Sequence, residues 1–287
     1  MKKTLKSIII TIYLCLILLY FILNYNFIIN KILNYTNIFI NNIFPSTFIF
    51  YIMSNLIIEY SNNINIKINI LYVFILSILS GFPTGVNNIK ELYLKNKLDI
   101  NTSNKYIMFT HFPNIIFVLS TCMKIINNRN ITIKLLLSLF ISNFIIFIFC
   151  KNKISLNNNT YNNNDFSKIL SNSIKKTINI IIIIYGTSIF FYLLSFIITK
   201  PINNIYLNIL INGLIDLSKG IYLLNLLNND YIKSIYLLLF LSFGTISIHI
   251  QTKSILQDTS INYNYYLIGR IISTTISILI FIILSLH

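Results

Sequence analysis

The residues able to do chemistry in this chain are few and clustered. The first cluster is the stretch SGFPTGVNN, residues 80–88, where Gly81, Pro83, Thr84, Gly85, Asn87 and Asn88 follow the apolar run INILYVFILSIL. Proline removes a backbone donor and clashes with the preceding turn, and glycine opens conformations closed to other residues. A helix broken there at membrane depth must keep its freed backbone inside protein or beside a wet cavity. Its amides, with the Thr84 hydroxyl, would then suit a carboxylate at the N-terminus of a half-helix. The plain alternative is a turn at the water interface followed by an amphipathic surface helix.

Two further polar breaks stand in comparable places. In SFGTISIHIQ, Gly244 is followed by Ser247, His249 and Gln251 at alternate positions. They line one surface if the segment is extended, whereas in a helix they diverge by about 100° per residue. In THFPN, residues 110–114, His111 and Asn114 open another apolar run. Histidine titrates near neutral pH and can accompany a proton or hold a carboxylate. Asp216 lies in a strongly apolar stretch, with Gly213 and Gly220 at helical spacing and Lys219 three residues on. An ionisable group at membrane depth points to proton or cation coupling, and a structural pair with Lys219 is the alternative. Arg270 is one of two arginines, and its planar fork matches a carboxylate or anchors the chain at the interface. Glu91 and Lys95 are spaced as a helix pair on a solvated face. The sequence has no Ser/His/Asp arrangement, HExxH or Walker motif, so no catalytic residues are expected and the chain is not read as an enzyme. Cys15, Cys122 and Cys150 are too far apart for a metal site, and no metal or cofactor is expected.

The elements that must position these residues follow from composition. The chain has 287 residues, 55% hydrophobic and 10% charged, with no Trp and no Ala, and a mean hydropathy of +0.74. A soluble domain carries about 25% charged residues, so an all-α polytopic membrane protein is expected. The net charge of +15 comes from lysines spread over nearly every polar connection. They read as interfacial anchors facing anionic lipid, which suits an anionic substrate and argues against nucleic acid as partner. Spans are expected near 7–29, 37–59, 64–82, 106–126, 131–150, 177–199, 204–228, 231–248 and 265–286. The first is an uncleaved span with Lys2, Lys3 and Lys6 in the cytoplasm.

The polar tract KNKISLNNNTYNNND, residues 151–165, reads as a disordered loop dividing two membrane halves. The expected organisation is 1–150, with a broken element at about 66–126, a loop at 151–168, and 169–287, with a second such element at about 204–286. Residues 81–109 and 242–270 align without a gap, matching Phe82 with Phe243, Thr84 with Thr245, Ile89 with Ile250, and Ile100-Asn101 with Ile261-Asn262. The shared pattern is an apolar run, a Phe and Gly break, and a polar helix, which points to two related halves.

GFPTGVNNIKELYLKNKLD also resembles the signature of the YlbJ sporulation integral membrane proteins. SFGTISIHIQTKSILQDTSINYNYYLIGR resembles that family's second signature, a Gly-rich turn followed by Ser-x-His-x-Gln. NGLIDLSKGI, residues 212–221, resembles its Gly-Leu-x-Glu-x-x-x-Gly element, and IFPSTFIFYIMSNLII, residues 43–58, its early Phe-Pro-Ser span. The order holds from about residue 40 to the end. The family carries the nucleoside recognition or Gate domain and is needed for the spore cortex. Its members are implicated in moving dipicolinic acid from the mother cell across the outer forespore membrane. The resemblance therefore implies a sporulation transporter for a small aromatic dicarboxylate. The chain is shorter than typical members, Asp216 stands where the family has Glu, and Val86 and Thr245 replace smaller residues. A nucleoside carrier and a non-transporting scaffold for the spore envelope are the alternatives. A homo-oligomer is compatible with either.

Overall fold

A computed structural model describes residues 2–63, 70–150 and 165–286. Among them every regular element is helical. The α-helices are α1 (Lys2–Leu23), α2 (Tyr25–Ile38), α3 (Phe44–Asn63), α4 (Ile70–Ser80), α5 (Thr84–Leu94), α6 (Ile100–Tyr106) and α7 (Ile115–Ile125). They continue as α8 (Arg129–Phe149), α9 (Phe166–Thr199), α10 (Ile205–Ile215), α11 (Leu217–Leu223), α12 (Asp230–Phe243), α13 (Ile246–Leu256) and α14 (Tyr263–Leu286). Six stretches of the described residues are long and apolar enough to cross a membrane: Leu5–Leu23, Tyr25–Tyr60, Arg129–Phe149, Phe166–Thr199, Asp230–Leu256 and Tyr263–Leu286. The chain is an all-α, multi-pass membrane protein.

Its surface is the reverse of a soluble protein's. Ile182, Leu279 and Ile283 point outward, while Ser138, Ser142, Asn143, Ser273 and Ser277 are buried. The buried small residues form the seam between α8 and α14, which pack along their length, with the Ser142 and Ser273 hydroxyls 3.2 Å apart. Small polar residues let membrane helices approach closely and bond across the gap. Most of α1 is exposed on all sides, with Ile17 its buried residue among those described.

Several expected spans are built differently. Tyr25 begins a new helix, so 7–29 is not one element. α2 and α3 run on as one rod through a π-helical turn, Phe39–Ile43. The turn widens directly before Pro45, which has no N–H to offer the Asn41 carbonyl. In 64–82 the described part is the short α4. The 106–126 stretch is split by the non-helical segment 110–114, because Pro113 pushes Phe112 out of the helical region. The 204–228 stretch is the hairpin α10–α11, bent at Asp216 with φ −139° and ψ 130°. The helix face expected from Gly213, Asp216 and Gly220 does not form. Gly213 and Gly220 instead meet across the hairpin, where a Cβ on Gly213 would enter the Phe240 ring and one on Gly220 would strike Gly213.

The asparagines that recur at segment ends have a job. Asn128, Asn204 and Asn229 cap α8, α10 and α12 with their side-chain oxygens. The disorder expected for 151–165 lies outside the described residues, except that Asp165 stands at the start of α9.

The gap-free alignment is matched in the helices. Each half holds a helix, a break at a positive-φ glycine, and an 11-residue helix: α4, Gly81 and α5 in one, α12, Gly244 and α13 in the other. α5 and α13 pack against each other, and α13 also packs on α9.

Candidate functional site

Gly81 (φ +72°) and Gly244 (φ +86°) are the two glycines among the described residues with positive φ, where the backbone turns through conformations that favour glycine. At the first break the Phe82 carbonyl, freed from its helix, accepts a 2.9 Å bond from the Tyr51 hydroxyl. At the second, the Thr245 hydroxyl caps α13 and lies 2.8 Å from the Ser247 hydroxyl. The third break is Asp216, whose carboxylate accepts the Lys219 backbone N–H at 3.0 Å and so caps α11. The fourth is the non-helical segment 110–114 before α7. There the Asn114 side-chain nitrogen donates to the Ser46 carbonyl at 2.6 Å, and its side-chain oxygen accepts from the Phe117 N–H.

These breaks converge. One cavity of about 60 Å³ is bordered by Phe82 and Pro83, by Asn114, by Asp216 and Ser218, and by Ser247 and Gln251. Tyr35, Thr47, Tyr51 and Ser188 complete its polar wall. Residues at the starts of α5, α7, α11 and α13 therefore all border it. Asp216 is the one charged side chain on the wall and is 1% exposed. The cavity wall includes Ser188, which lies inside the long apolar helix α9. Broken helices around a polar site at the midplane are a recurring construction of membrane carriers.

Of the residues singled out from sequence, Pro83, Asn114, Asp216, Ser247 and Gln251 border the cavity. Ser247 and Gln251 are four apart in α13 and share a face, and Gln251 donates to the Ser188 hydroxyl at 3.0 Å. His249 does not join them. α13 is helical from Ile246, so His249 turns away and its Nδ1 lies 2.7 Å from the Tyr263 hydroxyl. Thr84 is buried beside Tyr51. Gly81 and Gly85 act by size: a Cβ on Gly81 would crowd the Asn114 backbone, and one on Gly85 would strike the Thr110 carbonyl. Asn88 holds α5 to its neighbours through Ser54 (2.8 Å) and Ser80 (3.3 Å). Asn87 borders a different groove, with Lys90, Glu91, Lys176 and Asp258.

His111 and Arg270 form a bracket behind the cavity. The His111 ring stacks on Phe82 at 4.5 Å and stands next to Gly244, where an added Cβ would be 3.3 Å from Cε1. Its Nε2–H donates to the Leu241 carbonyl at 3.0 Å, which leaves Nδ1 to accept from the Tyr266 hydroxyl at 2.6 Å. One imidazole thus ties the first break to the second. Arg270 is fully buried and donates to the carbonyls of Met108 (2.6 Å), Ser242 (3.1 Å) and His111 (3.4 Å) and to the Asn143 side-chain oxygen (3.2 Å). Its fork is filled by the protein's own carbonyls, including those at the ends of α6 and α12.

The sequence did not single out Tyr35, Thr47, Tyr51, Ser188 and Ser218. Ser188 had a local signal, the polar triplet Gly-Thr-Ser interrupting the apolar run of α9, and Ser218 stands two residues from Asp216. The tyrosines had none, because tyrosine is common throughout this chain.

Compared with known proteins, the chain matches no family model, no curated protein and no solved structure.

Proposed function

We propose that the chain is a carrier for a small solute, with the polar cavity where the breaks meet as its binding site and Asp216 as its coupling group. The observation behind this reading is the meeting of breaks from both halves of the chain at one polar cavity beside a buried carboxylate. A scaffold needs no such convergence. The motif resemblance supplies the favoured substrate and setting: dipicolinic acid, crossing the outer forespore membrane to reach the spore. The N-termini of α5, α7 and α13 beside the cavity favour an anion, and the proton on a neutral Asp216 carboxyl would remove the repulsion between them. About 60 Å³ holds a few waters and is too small for an aromatic dicarboxylate. The conformation described is therefore a narrow one, and transport requires the cavity to widen, with Ser218 the residue it shares with the adjoining chambers.

A neutral ring such as a nucleoside is the second reading. Its support is the wall itself, which offers hydroxyls, amides and aromatic rings but no cationic side chain. Purified full-length chain in lipid vesicles, offered dipicolinate and a panel of nucleosides, separates the two. Dipicolinate uptake above protein-free vesicles is the expected result. Uptake of nucleosides alone would replace the substrate, and uptake of nothing would remove the carrier reading. In a sporulating host, deletion of the gene is expected to leave dipicolinate in the mother cell and the spore empty.

A further inference from the structure

A second chamber, of about 340 Å³, adjoins the cavity and shares Ser218 with it. It lies between α2, α9 and α11, and its wall includes Lys31, Lys219, Tyr192, Phe196 and Tyr222. Two ammonium groups crowd one aromatic ring there. Lys219 Nζ stands 3.2 Å from the Phe196 centroid and Lys31 Nζ 4.8 Å from it. Cation–π attraction holds each to the ring, but the two charges repel, and Lys219 is 7% exposed. Buried charges are ordinarily paired. The ion pairs among the described residues are Lys90–Asp258, Lys95–Glu59, Lys176–Glu59, Lys176–Glu91 and Lys233–Asp230, and neither Lys31 nor Lys219 is in them. The carboxylate that attracts Lys219 is Asp216, on the cavity side, already bonded to the Lys219 backbone N–H. No acidic residue borders the chamber. Tyr222, 70% exposed, offers an open aromatic face beside it.

We propose that this chamber binds the carboxylate of a flat, soluble anion, with Lys31 and Lys219 as its counter-charges and Tyr222 against its ring, before the solute passes Ser218 into the cavity. The proposal rests on the carrier reading and deepens it, because it puts the cationic selection that the cavity wall lacks into the approach. A carboxylate here neutralises the repulsion between two lysines rather than adding to an existing pair. That is where a charge-assisted bond contributes most. A lipid phosphate has the same charge, so the source of the anion has to be separated by experiment.

The test uses full-length chain in nanodiscs and isothermal titration with dipicolinate, benzoate and uncharged pyridine. Both carboxylates bind and pyridine does not. Lys31→Gln and Lys219→Gln each weaken dipicolinate by about tenfold or more, Lys31→Arg and Lys219→Arg restore most of it, and Lys253→Gln, at an exposed position, changes nothing. The arginine variants show that a loss reports charge and not misfolding. Affinity is the same in neutral and in anionic lipid. Wild-type affinity in both glutamine variants overturns the assignment, as does no carboxylate binding to the wild type. Binding abolished by anionic lipid overturns it too, by giving the lysines to a headgroup. If both glutamine variants also carry dipicolinate into vesicles with an unchanged KM, the chamber assignment falls while the carrier reading stands. If the wild type moves no solute, the carrier reading itself falls.

Discussion

Asp216 has two jobs that a substitution can separate. Its carboxylate caps α11 through the Lys219 N–H, and it is the titratable group on the cavity wall. Asparagine caps a helix about as well as aspartate but cannot take up or release a proton. Asp216→Asn is therefore expected to leave the melting temperature within a few degrees and to cut pH-gradient-driven uptake into vesicles by at least about tenfold. Wild-type uptake in that variant would remove Asp216 from coupling and leave the carrier reading without its proton group. Arg270 predicts the opposite division. Its guanidinium bonds the carbonyls of Met108 and Ser242 and shares that of His111 with the Asn143 side-chain nitrogen, and deleting it takes the buried donor from the first two. Arg270→Gln is expected to destabilise the fold by about 3 kcal/mol or more, read as a lower melting temperature. Solute affinity of the protein that still folds should be little changed, since the side chain does not border the cavity.

At the scale of elements, close approach at glycine holds the breaks in register. Gly85 rests on the Thr110 carbonyl, and Gly213 lies under the Phe240 ring. Alanine at either position overpacks the junction, and a loss of about 1–3 kcal/mol is expected for each. Gly186, on the exposed side of α9, has nothing within 4 Å of an added Cβ. Gly186→Ala should stabilise by about 0.5–1 kcal/mol, so a thermal melt of the three variants has a predicted sign at each. The same junctions explain what the sequence could and could not show. The breaks at Gly81–Pro83 and Gly244 were legible because glycine and proline act on the backbone locally. The bend at Asp216 was not, because it depends on the fit of Gly213, Gly220 and Phe240, which are distant in sequence or meet only after the hairpin closes. The pattern Ser247, His249, Gln251 was legible as polar but not as a surface. Once α13 begins at Ile246, the helical repeat keeps the first and third together and sends the second to Tyr263. Glu91 and Lys95 read as a pair for the same local reason. Tertiary packing instead bonds Glu91 to Lys176 at 2.6 Å and Lys95 to Glu59 at 2.8 Å.

At the scale of the whole molecule, α9 works as a ruler through the protein. Its 34 residues span about 51 Å at 1.5 Å each, more than a hydrocarbon core of about 30 Å. Tyr192 and Phe196 border the lysine chamber, Ile184 and Ser188 the cavity, and Lys176, Asn179 and Ile183 the groove that also holds Asn87. Chamber and groove thus lie on opposite sides of the cavity along one helix. On the chamber side Ser218 borders all three spaces. The groove side is laced by Lys176, which bonds Glu59 at 3.2 Å as well as Glu91, and by Lys95 on Glu59. That network joins α3, α5 and α9, so opening the cavity toward the groove requires it to part. A carrier in this state should admit a probe from one side only. In a chain with its three cysteines replaced by serine, Ser247→Cys places a thiol on the cavity wall. A small membrane-impermeant thiol reagent is expected to modify it from the chamber side and not from the groove side. Adding Glu59→Gln and Glu91→Gln removes both acidic partners of Lys176 and should admit the reagent from the groove as well. Equal labelling from both sides with the network intact would mean that these ion pairs only bind helices together and that the closure of the cavity lies elsewhere.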